Sequence, residues 1–167
     1  PEQAAVDLLR GAAGRGDGFR LVVSPTELHA EVGRSIAKSM GPNTVFVSLE
    51  HELLSRMDES FESYVRAEKF KAQRGKLTRE AETLLLDLLK DKGKSGSTVV
   101  LGDTAILGVC EALHLVRKLY DETNAGGRGF WVMVVPGVMY QKQPLFLERL
   151  PLFHLESTLP ILREIEA

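Results

Sequence analysis

The chain has 167 residues, 44% of them hydrophobic and 26% charged, and a formal net charge of −2. That length suits a single α/β domain with a real core, and the near-neutral balance excludes a protein whose whole surface tracks nucleic acid. A single cysteine, Cys110, excludes an internal disulfide framework and a cysteine zinc site, and it fits a reducing compartment.

The opening "PEQAAVDLLRGAAGRGDG" places Ala5, Leu8, Leu9 and Ala12 on one face of a short helix, which Gly14, Gly16 and Gly18 then end. It lacks the basic-then-apolar layout of a signal peptide, and no apolar run approaches the roughly 20 residues that cross a bilayer, so the expectation is a cytoplasmic protein without membrane partners. The chain starts at Pro1 without an initiator methionine. Both removal of that residue and a position inside a longer protein stay open.

"FRLVVS" (19–24) reads as the first strand, and "SPTELHAEVGRSIAKSM" as a helix with Ser24 as N-cap, Pro25 at the first helical position and Glu27 three residues after the cap. "TVFVSL" (44–49) is the second strand. From Glu50 to Lys92 the pattern is helical, an insertion after the second strand, with a break expected at Gly75 and a cap at Thr78. "TVVLGD" (98–103) is the third strand, with Asp103 expected to cap one long helix over 104–125 whose stripe runs through Ile106, Val109, Leu113, Val116 and Tyr120. The apolar run "FWVMVVP" (130–136) is the fourth strand, ended by Pro136 and turned by Gly137. "PLFHLES" (151–157) reads as a fifth strand and "TLPILREIEA" as a closing segment. Strands that are apolar on both faces and alternate with helices predict a three-layer αβα fold around a mainly parallel sheet of four to five strands.

Such a sheet invites a nucleotide site at the carboxyl ends of its strands. After the first strand, however, the chain has "SPTELHAEVGRS" where a phosphate loop needs a glycine-rich curl and a lysine. Pro25 lacks an N–H and Glu27 repels phosphate. "GKSGST" (93–98) and "GRGDGF" (14–19) each precede a strand, so neither leads into the helix N-terminus that binds phosphate. No cofactor is expected. Glu27, Glu50 and Asp103 all follow strand ends and form an alternative metal-dependent hydrolase or nuclease set, although a D-x-D pair is missing. His29, His51, His114 and His154 have no metal spacing.

Two surface features remain. "RAEKFKAQRGKLTR" (66–79) carries Arg66, Lys69, Lys71, Arg74, Lys76 and Arg79 against one acid, Glu68, an alternative site for DNA or another nucleic acid. After Gly137, the residues Tyr140, Gln141, Lys142 and Gln143 offer contact and hydrogen-bonding groups without a nucleophile or metal ligand, which suits a protein interface better than chemistry.

The order of elements resembles a P-loop ATPase core without its phosphate machinery. More particularly, "TVVLGDTAILGVCEALHLVRKLYD" followed by "GFWVMVVPGVMYQKQPLF" and "LPLFHL" is similar in layout to domains of the BREX phage-defence systems, the small BrxB proteins and the carboxy-terminal region of PglW-type kinases. The likeness covers roughly residues 98 to 155 and rests on pattern, with Arg117 and the Pro136–Gly137 pair as matching positions. It implies a non-catalytic component of a defence complex, working with an ATPase, a methyltransferase or a phosphatase-like protein.

Overall fold

A computed structural model of the chain describes residues 2–16, 18–56, 69–141, 143–147, 150–151 and 161–164. Its elements are α1 (Glu2–Gly14), β1 (Gly18–Ser24), α2 (His29–Met40), β2 (Thr44–Ser48), α3 (Leu49–Ser55), α4 (Lys69–Lys92), β3 (Thr98–Gly102), α5 (Ile106–Val109), α6 (His114–Asn124), β4 (Phe130–Tyr140), β5 (Gln143–Phe146), β6 (Leu150–Pro151) and β7 (Ile161–Glu164).

The fold is α/β, with a mainly parallel sheet flanked by helices. Its main strands lie in the order β2-β3-β4-β1-β7 and all pair in parallel. Strands β3, β4 and β1 are therefore neighbours at the centre. Alternation along the strands sorts the core into two layers. Phe19, Leu21 and Val23 of β1 join Trp131, Met133 and Val135 of β4 against α4 and α6. Val22, with Phe130, Val132 and Val134, faces α1 and α2. Among the described residues no helix is long and apolar enough to cross a membrane.

Several local expectations are corrected. The second helix starts at His29, not after Ser24, because Pro25–Leu28 close a separate turn in which the Leu28 N–H donates to the Pro25 carbonyl. Leu28, not Ser24, occupies the N-cap position, and no side chain caps it. Helix α4 runs unbroken through Gly75. The glycine costs about 1 kcal/mol there, but Leu77, Ala81, Leu84, Leu85 and Leu88 form a buried stripe that holds the helix together. Thr78 is not a cap: its hydroxyl donates to the Cys110 carbonyl at 2.7 Å, tying α4 to the loop after α5.

The long helix expected over 104–125 is two. The chain breaks at Cys110–Leu113, where Glu111 has φ +51 and the Ala112 N–H donates to the Leu107 carbonyl at 2.8 Å. Val109, on the expected stripe, is left exposed. The fifth parallel strand is β7 (Ile161–Glu164), which pairs with β1. Of the strand expected over 151–157, only Pro151 lies among the described residues, at the end of the short β6.

Candidate functional site: the carboxyl edge and the hairpin above it

β1, β2 and β3 end at Ser24, Ser48 and Gly102, which defines the carboxyl edge. Here Asp103 departs most from its expected role. It follows Gly102 with φ +50, a left-handed conformation that aspartate tolerates better than most residues. Its carboxylate does not cap the next helix, whose N-cap is Ala105 without a side-chain bond. Instead it accepts two hydrogen bonds from Arg34 of α2, at 2.9 and 3.3 Å, and one from the Ser48 hydroxyl at the end of β2. Ser48 also caps α3, accepting from the His51 N–H at 3.2 Å.

Arg34 is held from two further sides. It donates to the Ala30 carbonyl one helical turn back, and its guanidinium lies 5.1 Å from the centre of the Phe46 ring. The Phe46 ring fits because Gly102 lacks a side chain: a Cβ there would come within 2.6 Å of two ring carbons. A glycine, an aromatic ring, an arginine and a carboxylate from α2, β2 and the end of β3 thus form one packed column.

This column settles what the edge can do. Asp103 has only 11% of its side chain exposed, and its lone pairs are directed at a bidentate guanidinium and a hydroxyl. Glu27 and Glu50 are exposed, and neither forms part of the column. Among the described residues no group of three His, Cys, Asp or Glu side chains is placed to hold a metal. At the position where a phosphate loop would sit, Pro25–Leu28 form the closed turn already described. Thr104 is turned inward, its hydroxyl donating to the Val134 carbonyl at 2.7 Å.

Above the edge, the expectation that β4 ends at Pro136 is also corrected. Pro136 does not end the strand. It is the last residue paired with β1, and at Gly137 the same strand passes into an antiparallel pair with β5. Gly137 adopts φ +156, and a Cβ on it would collide with the Leu145 carbonyl oxygen, so only glycine permits the transfer. The Leu147 N–H donates back to the Pro136 carbonyl at 2.9 Å, and Phe146, fully buried, anchors the returning strand in the α4–α6 core.

The hairpin so fixed carries Tyr140 near its turn with 60% of its surface exposed, followed by exposed Gln141 at φ +48. Gln143 is half-buried and pairs across the hairpin with Tyr140. Lys142 lies outside the described residues. Of the basic set, Lys76 and Arg79 are exposed on α4, and Lys69, Lys71 and Arg74 lie in its first turns. Arg66 lies outside the described residues. Arg117 is a surface residue that pairs with Asp121 at 3.2 Å and stacks on Tyr120.

Cys110 is fully buried, and desolvation raises its thiol pKa to about 11. It therefore stays protonated and inert at neutral pH. The arrangement that sequence reasoning missed is Arg34–Asp103. Its members lie 69 positions apart and each sits in an ordinary local context, so no spacing marks the pair.

Comparison with protein-family models, with curated proteins and with solved structures finds no match.

Proposed function

We propose that the chain is a non-catalytic interaction and assembly module of a bacterial phage-defence complex of the BREX type, cytoplasmic, built on a nucleotide-type fold that does not bind ATP. The observation that carries this reading is the hairpin of β4 and β5. Its base is immobilised by Phe146, Gly137 and the Leu147–Pro136 bond, while its turn presents Tyr140 and Gln141 to solvent. A rigid aromatic on a fixed support loses little entropy on binding, and tyrosine is among the residues that dominate interface energies. The closed turn after β1 and the Arg34-bound Asp103 support the absence of nucleotide chemistry at the edge. The partner class, an ATPase, methyltransferase or phosphatase-like subunit, follows from the likeness to BREX components.

The test is capture of partners from the native host by the tagged chain. Wild type is expected to recover defence-complex subunits, and a Tyr140→Ala/Gln141→Ala variant to lose them. Equal recovery by both would remove the hairpin from the reading. A second reading, nucleic-acid association, is favoured by the exposed Lys76 and Arg79 on α4. It predicts DNA binding that falls steeply with salt.

A further inference from the structure

The edge strand β2 is an uncommonly open one. It ends the sheet, and among the described residues nothing pairs with its outer side. Edge strands are ordinarily guarded by charge, proline or a bulge. "TVFVS" has no charge and no proline, and it stays in unbroken register with β3. The Thr98 N–H donates to the Asn43 carbonyl. By the alternation of a parallel ladder, residues 43, 45 and 47 then turn their backbone groups toward β3, and Phe46 turns its N–H and C=O outward.

Alongside that edge runs an open groove of about 450 Å³ lined by Arg34, Ala37, Lys38, Gly41, Thr44 and Phe46, with Pro42 at its end. Lys38 stands exposed on α2 one turn beyond Arg34, whose own charge is engaged by Asp103. On the opposite face of the sheet Val45 is 42% exposed. The edge therefore offers outward-facing backbone groups, the Lys38 cation on one side and an apolar patch on the other.

We propose that β2 is a docking edge for an extended peptide segment of a partner protein, one that alternates acidic with β-branched apolar residues. The segment adds as a further strand, bonding to the backbone of Phe46, with its acids toward Lys38 and its apolar residues over Val45. A second copy of this chain fits poorly: antiparallel pairing of two β2 strands about a two-fold axis would set Lys38 against its own counterpart. Single-stranded nucleic acid fits poorly as well, because the Phe46 ring is already covered by Arg34 and by the Gly33 and Gly102 backbone and offers no free face for a base.

The test uses the whole chain and a labelled nine-residue peptide alternating valine with glutamate, followed by fluorescence anisotropy and by amide exchange at Phe46. The expected result is saturable binding, protection of the Phe46 amide, and at least a tenfold loss of affinity in Lys38→Glu, a change at an exposed position. Equal binding of a peptide with lysine for glutamate would overturn the charge argument and with it the proposal. Equal binding of a peptide N-methylated at alternate residues would overturn strand addition. The proposal also fails if no peptide binds, if an oligonucleotide displaces the peptide, or if the chain dimerises in a manner abolished by Val45→Lys.

Discussion

Asp103 has little access to water, and Arg34 supplies both its counter-charge and two of its hydrogen bonds. Removing the guanidinium leaves a poorly solvated carboxylate with only Ser48 as donor. Arg34→Ala is expected to lower stability by about 1–3 kcal/mol, the usual cost of stranding such a group. Arg34 is itself 55% exposed, which keeps the figure below that of a fully buried pair. In urea unfolding, Arg34→Ala/Asp103→Asn should cost less than the two single changes added together; strict additivity would show that the two side chains do not share an interaction. Cys110 makes a second residue-scale prediction. Burial raises its folded-state pKa to about 11 from an ordinary value of 9.0. The folded state thus holds the proton more tightly than the unfolded one. The thiol's contribution is complete below pH 9 and is lost as pH rises toward 11. Stability should fall over that window in the wild type and less so in Cys110→Ala, while thiol reagents leave the native protein unmodified at pH 7. Rapid labelling at neutral pH would contradict the buried placement.

At the scale of elements, the hairpin depends on one backbone position. Gly137 is where β4 leaves the parallel ladder with β1 and enters the antiparallel one with β5. Gly137→Ala drives a methyl group into the Leu145 carbonyl, and overpacking of this kind costs roughly 1–3 kcal/mol or more. The expected result is a lower melting temperature together with loss of partner capture; an unchanged melting curve would contradict the assigned geometry. The same element shows how far the sequence could be read. The apolar run at 130–136 was legible because a central parallel strand is buried on both faces and needs no alternation. Its continuation to Tyr140 was not, because Pro136 and Gly137 look like a stop, and only pairing with residues 143–146 keeps the strand extended. The helices tell the same story. The leucine stripe of α4 overrides Gly75, while the break at Cys110–Leu113 is held by backbone bonds within the loop and by Thr78 of α4, a residue distant in sequence.

For the molecule as a whole, element order and hydrophobic alternation were enough to place β1, β2, β3 and β4 in one parallel sheet with helices on both faces, whereas the fifth strand, β7, lies in the segment read as a closing one. The site was less legible. Tyr140 and Gln141 stood out as exposed contact residues after an apolar strand, whereas the Arg34–Asp103 column joins α2 to the end of β3 and has no signature in either segment. That column changes the meaning of the acids at the carboxyl edge, from possible metal ligands to a carboxylate already engaged by the protein's own arginine. The remaining surface choice lies between the hairpin and the basic half of α4, and each makes a different demand on partners. An interface led by Tyr140 should resist nuclease and moderate salt, whereas phosphate contacts through Lys76 and Arg79 should not.

The most direct measurement is therefore capture from the native host after nuclease treatment, with wild type, Tyr140→Ala and Lys76→Ala/Arg79→Ala compared side by side. The account predicts that defence-complex subunits are recovered by wild type and by the α4 variant and lost in Tyr140→Ala. Recovery that survives Tyr140→Ala, but disappears with nuclease or with the α4 variant, would contradict it.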